Sequence, residues 1–355
     1  MGSASPGWDR AVRFADQVIE RHRACELPFV GSGTDLLSQR ALFTDSTRGG
    51  RVSMGGHCRL VAVADGWCAV HLPRADDLEL LPAWIGVDAV SGEIPWSSID
   101  AALSDRTGAD VVQAAQELGL AVAPLPTGDD EQLRERGTTN AARPWIQRRV
   151  GERSETSLRG ARVVNLSSLW AGPLCARVLT DAGAHVVNVE SSTRPDASRD
   201  GDPALFDWLH AGQEFASLPF ESPSGVAELV ALLENADVVI EGSRPRALER
   251  LGIEPSAYVS KRPGMVWLSV TAYGRCGPWR NWSGFGDDAA AAGGLVDWSS
   301  DDTPSFVGDA VADPLTGLVA SAVVADAIRR GGGVTIDVSL REVARSAAHD
   351  ARVVW

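Results

Sequence analysis

The chain has 355 residues, 44% of them apolar, enough for two cored units, and its 33 basic against 47 acidic side chains give a formal charge of -14. That balance excludes a broad nucleic-acid-binding surface, which would repel phosphates, but it admits a small anion held by a few arginines; Lys261 is the only lysine. Five scattered cysteines without a Cys-x-x-Cys pair argue against a disulfide framework or a metal site, and no apolar run reaches the roughly 20 residues of a membrane span, so a cytoplasmic protein is expected.

Trp8, Val12, Ala15, Val18 and Ile19 recur at helical spacing and predict a helix over 8–23. Residues 59–72 alternate about Asp65-Gly66 and predict a hairpin. Asp76-Asp77 is expected to cap a short helix running to Leu81, and a helix over 109–118 to end at Gly119 before a strand at 120–124. These elements form a smaller α/β lobe over 1–150. Residues 151–159 are polar and aperiodic, a linker.

The pattern then changes. Short apolar strands at 162–166, 185–190, 237–241, 265–270 and 335–338 alternate with helices at 173–182, 228–235 and 314–330. This predicts a doubly wound parallel sheet over 160–355, a Rossmann-like α/β fold. Glu190 ends the second strand, where a nucleotide ribose is often held. The first turn, however, reads Ser167-Ser-Leu-Trp-Ala-Gly-Pro173, with one glycine and a bulky tryptophan. A nicotinamide or flavin site is disfavoured, and no cofactor is expected.

Pro304-Ser-Phe-Val-Gly-Asp-Ala-Val-Ala-Asp313-Pro-Leu-Thr-Gly317 places an aspartate among small residues ahead of a helix. The residues alone leave two readings open: an N-capping Asp before Pro314, or a carboxylate held for nucleophilic attack. Asp309 reads as a turn residue.

Several blocks in order resemble the family III CoA-transferases, which include formyl-CoA and carnitine CoA-transferases and methylacyl-CoA racemases. They are Val163 to Glu190, Ala236 to Gly252, Leu268 to Pro278, Gly293-Gly294, the Asp313 segment and Asp337-Val-Ser-Leu340. The resemblance implies transfer of coenzyme A between an acyl-CoA and a carboxylic acid, with CoA as substrate and Asp313 as the nucleophile. It further implies a homodimer, interlocked or completed by a partner subunit. Gly308, Thr316 and Gly317 are expected to shape the pocket. Leu169, Trp170 and Ala171, with Arg194, Arg244 and Arg250, are expected to face CoA.

The chain also departs from the family pattern. A basic stretch is replaced by His210-Ala-Gly-Gln-Glu214, an arginine by Ser191, and a CoA-contacting Asn-Phe pair by Gly242-Ser243. The racemase histidine falls near Phe285, so that base is missing and racemase activity is the weaker branch. The smaller lobe precedes the larger domain, the reverse of the family order. These departures motivate a second reading, a CoA-transferase-like binding or assembly subunit with reduced turnover. Glycines in 48–56 are read either as a loop closing on the site or as a plain connection.

Overall fold

Strands β1 (Cys58–Val63) and β2 (Gly66–His71) pair antiparallel, Val63 opposite Gly66, and β3 (Ala121–Pro124) joins β2 to complete a three-stranded sheet. The computed structural model describes residues 5–28, 31–42, 50–86, 93–126, 143–201 and 203–355; residues 48 and 49 of the glycine-rich segment lie outside them. The hairpin turn is fastened by Asp65, whose carboxylate accepts the Gly108 N–H at 2.7 Å and so anchors helix Gly108–Leu118 against the sheet. Gly119 ends that helix at φ 84°, a left-handed conformation that suits a glycine cap.

The Asp76-Asp77 expectation needs correction. Arg74 holds the cap position, and Asp77, three residues on, accepts the Arg74 backbone N–H at 3.0 Å. The helix stops at Glu79 and a second, Leu81–Ile85, follows. Proline at the second position of a new helix explains the break, because it has no N–H to continue the preceding turn.

The large sheet has seven strands in the order β4 (Trp145–Arg149), β12 (Val334–Ser339), β9 (Val266–Thr271), β8 (Val238–Glu241), β5 (Arg162–Asn165), β6 (His185–Ser191) and β7 (Glu214–Leu218), while β10 (Val296–Trp298) and β11 (Pro304–Phe306) pair separately. All neighbours are parallel except β4, which runs antiparallel to β12. The doubly wound α/β fold expected from the alternating pattern is therefore present. Every residue of β8 and β9 is buried, which is why these strands read as unbroken apolar runs. Helix Ala312–Arg329 is buried on all sides through Ile328, apart from Asp313.

Two pieces on the N-terminal side of residue 150 pack with the large sheet instead of the small one. Strand β4 covers the outer edge of β12, satisfying backbone groups that would otherwise be open. Helix Pro6–Ala24 buries Trp8, Phe14, Val18 and Ile19 in the large core, against helices Ala312–Arg329 and Leu340–Ala348. The small sheet in turn lies on helix Gly286–Ala292, whose Ala291 shares a core with Leu60 and Ala69. Both sheets thus meet at that short helix, next to Asp313.

Candidate active site

Asp313 lies in the first turn of its helix, two residues past the cap position, which Val311 occupies with no side-chain cap bond. It is not an N-cap: its own N–H donates to the Ala310 carbonyl at 2.8 Å. Its carboxyl rests on Gly286, where an added Cβ would stand 2.3 Å from Asp313 Oδ2 and 2.7 Å from the Ala310 carbonyl oxygen. Only glycine fits there. Ala310 itself sits at φ 43°, a left-handed conformation costly for alanine, and Asp287 holds it by accepting its N–H at 2.9 Å.

The residue is half-buried, yet its carboxyl is hard to ionise. Burial pushes its pKa up to about 8, with the charges of Asp287 and Asp288 adding to the rise; Arg40 and His71 pull the other way. Burial likewise lifts Asp287 to about 6. Asp309 is buried and pairs with Arg40 at 3.2 Å, a stronger role than the turn position expected of it.

His71, at the end of β2, reaches this cluster from the small sheet. Its Nδ1 lies 3.0 Å from Asp288 Oδ1, and its ring meets Phe285 edge-on at 5.0 Å between centroids. Asp288 is fully buried and also accepts the Tyr273 hydroxyl at 2.9 Å and the Phe285 N–H at 2.8 Å. A histidine therefore stands beside Phe285, the position where sequence reasoning found a base missing.

Beside the cluster, at the carboxyl ends of β8 and β9, a cavity of about 170 Å³ opens between the two sheets. Ligands of open parallel sheets are generally received at such strand ends. Arg74, Arg244 and Arg280 line it, with Gly242-Ser243 at one wall and Tyr273, Gly284 and Phe285 on the side toward Asp313. Arg74 is aimed by Asp77 at 2.7 Å and by the Gly119 carbonyl at 2.9 Å, and Arg244 donates to Ser283 Oγ at 3.1 Å. Burial lowers the Arg244 pKa, and the like charges of Arg246, Arg74, Arg194 and Arg250 lower it further. The Gly242-Ser243 turn is braced by Glu241, which accepts the Ser243 N–H at 3.1 Å and pairs with Arg275.

Of Arg194, Arg244 and Arg250, only Arg244 lines the cavity; Arg194 and Arg250 are exposed, and their charges reach Arg244. The structure does not bring the Leu169–Ala171 turn there. The Leu169 N–H donates to both Asp196 carboxylate oxygens, at 3.2 and 3.1 Å, leaving only its exposed side chain for a ligand. Trp170 is buried with the Arg40 guanidinium 6.0 Å from its ring centroid, so it is packed instead of presenting a free face. The Ala171 carbonyl faces Gly317, and that crossing needs a glycine: a Cβ at 317 would lie 2.7 Å from the oxygen. Gly308 is pressed to Trp8, 3.1 Å from a ring carbon by the same measure. Both glycines serve close packing, not a pocket wall. Thr316 is fully buried, and its hydroxyl has no hydrogen-bond partner among the described residues.

His71, Arg40 and Arg74 were missed in the sequence because none lies in the resembling blocks. The one local cue is a polar histidine ending the alternating strand Trp-Cys-Ala-Val-His.

A family model described as CoA-transferase family III matches residues 158–351. An acyl-CoA transferase of Fusarium pseudograminearum (strain CS3096) is 30% identical over 224 residues, covering 57% of this chain and 49% of that protein. A succinyl-CoA–D-citramalate CoA-transferase of Chloroflexus aurantiacus is 28% identical over 204 residues, covering 54% and 51%. Among solved structures, a CAIB/BAIF family protein from Brucella suis is 28% identical with a TM-score of 0.49, covering 54% of this chain and 55% of that one. The chain spans about half the length of the curated relatives it matches. Among the described residues no helix is long and apolar enough to cross a membrane. With a single family model spanning every strand of the large sheet except β4, the Asp313 turn and the helix it opens, the chain belongs to CoA-transferase family III.

Proposed function

We propose that this protein moves coenzyme A from an acyl-CoA thioester to a carboxylic acid, with Asp313 as the attacking group. The observation that carries the reading is the Asp313 carboxyl itself. It caps no helix, it is pressed onto Gly286, and its surroundings disfavour its charge. A carboxylate destabilised in this way is a stronger nucleophile than a solvated one.

The steps balance without an added reagent. An Asp313 oxygen attacks the thioester carbon, the carbon–sulfur bond breaks, and a mixed anhydride forms with CoA leaving as thiolate. The thiolate attacks the aspartyl carbonyl, expelling the first acid and leaving an aspartyl-CoA thioester. The acceptor carboxylate attacks that thioester, and the thiolate then takes the acceptor's acyl group, restoring Asp313. Each pair of steps trades one carboxylate for another on CoA, so each half-reaction is near-balanced.

Arg74, Arg244 and Arg280 supply the cations expected for the CoA phosphates. The cavity is too small for the whole nucleotide, so the exposed Arg194 and Arg250, whose charges reach Arg244, would meet the remainder. From the 169–171 turn we retain only the Leu169 side chain for CoA. A second copy or a partner subunit is part of the same proposal, and light scattering reads it out.

The test is exchange of labelled free CoA into acetyl-CoA or succinyl-CoA with no acceptor acid present. The anhydride gives that exchange a direct route once the expelled thiolate trades places with free CoA, and its absence with a wide acyl-CoA panel would sink the reading. Arg244→Ala is expected to raise the CoA concentration for half-maximal exchange by about tenfold, the effect of losing one charge-assisted contact.

A further inference from the structure

We propose that His71, carried by the small sheet and fixed by Asp288, is the positioning cation that keeps Asp313 able to attack. The inference rests on Asp313 being the attacking group. Four carboxylates crowd this corner: Asp287 and Asp288 on helix Gly286–Ala292, Asp309 in the turn, and Asp313. Of the nearby cations, Arg40 pairs with Asp309 at 3.2 Å and Arg74 is drawn to Asp77 at 2.7 Å. His71 meets Asp288, on the helix that also carries Asp287 and whose Gly286 bears the Asp313 carboxyl. Asp288 takes its Nδ1 at 3.0 Å while Tyr273 and the Phe285 amide hold the carboxylate still, so the ring has one orientation.

Phe285 packs on that ring at 5.0 Å, and the next residue, Gly286, bears the Asp313 carboxyl. His71 and Asp313 are thus placed through consecutive residues of one segment. Burial opposes charge on His71, but the Asp288 hydrogen bond and charge, with Asp287 and Asp313, outweigh it and raise its pKa. The effect is mutual: Arg40 lowers the Asp313 pKa, and His71 lowers it further. Because the histidine belongs to the small sheet, docking of that sheet and readiness of the nucleophile become one event.

The other groups facing the pair titrate elsewhere. Burial drives the Tyr273 hydroxyl and the Cys58 thiol well above their ordinary ranges. Burial lowers His57, with His71 and Arg40 adding to the fall. Asp287 titrates at about 6 and so complicates only the acid side, while burial raises Asp309.

The experiment follows labelled-CoA exchange into acetyl-CoA and succinyl-CoA from pH 5.5 to 9.5, in wild type and in His71→Gln, whose amide can still donate to Asp288. Wild-type exchange should rise with pH through about 8 as Asp313 ionises. In the variant the rising limb should move up by about one pH unit, with about a tenfold loss at pH 7 and convergence at the alkaline end. Superimposable profiles, or a uniform loss with no shift, would overturn the inference while leaving Asp313 as the nucleophile. Exchange missing in the wild type would overturn both. Deuterium entering the acyl α-carbon, and lost in His71→Gln, would make His71 a base and also overturn it. Should the variant fail to fold, NMR titration of labelled histidine in the wild type decides. An imidazolium persisting to about pH 8, where Asp313 ionises, supports the inference, and a ring already neutral below that pH refutes it.

Discussion

Asp313→Asn is expected to abolish CoA exchange, by at least about a thousandfold, and at the same time to stabilise the fold above neutral pH. An amide has nearly the shape of the carboxyl, so it keeps the contact with Gly286 but cannot form the anhydride. The stability gain follows from the pKa. In the folded protein this carboxyl titrates at about 8, against an ordinary value of 3.8. Between those limits the folded state holds a proton that the unfolded state has released. Stability therefore falls as pH rises from about 4 to about 8, and remains reduced above that.

Asparagine removes the dependence. Below pH 4 the two proteins should be equally stable, and at pH 8 the variant should lead by on the order of 2 kcal/mol, less than the full linkage value because water reaches a half-buried group. Urea midpoints across that range measure the gap. A gap that stays constant or closes with rising pH would mean that Asp313 is not held against its charge.

Gly317→Val carries the second large effect, and it acts on the fold. Helix Ala312–Arg329 crosses helix Ala171–Asp181 at this glycine, where a Cβ would meet the Ala171 carbonyl oxygen at 2.7 Å and Leu174 Cβ at 2.8 Å. Backbone cannot retreat as a long side chain can, so the helices must separate. The expected cost is about 3 kcal/mol, the upper part of the range for overpacked cores. Valine is also β-branched and less suited to a helix, which adds a little. Denaturation in urea should show the loss, with exchange per folded molecule far less affected. An unchanged midpoint with abolished exchange would return Gly317 to the pocket wall that its sequence position first suggested.

Much of the large sheet was legible because β8 and β9 are buried throughout and β5, β6 and β12 largely so, with helices between them, so apolar runs alternate with punctuation. The cavity position of Arg244 was legible for a related reason. It follows the end of β8, and strand ends converge on one side of a parallel sheet. Long-range docking was not legible. Nothing local in Trp-Cys-Ala-Val-His says that its last residue will face Asp288 across the interface of two sheets, and Arg74 reaches the cavity only once Asp77 and Gly119 have oriented it. Glycines gave a different difficulty. Gly308 and Gly317 look like pocket residues because they flank a reactive aspartate, yet each answers to a partner elsewhere in the chain, Trp8 or Ala171. Gly286, the glycine that does meet the carboxyl, lies in another segment.

The most direct measurement is peptide mass spectrometry of the wild-type protein, quenched with hydroxylamine during turnover of succinyl-CoA or acetyl-CoA. An acylated or CoA-bearing Asp313 should appear as the hydroxamate, a gain of about 15 Da on the peptide containing residues 312–317, and be missing from unreacted protein. A saturating exchange reaction that leaves Asp313 unmodified, with the label on another residue or on none, would contradict the account.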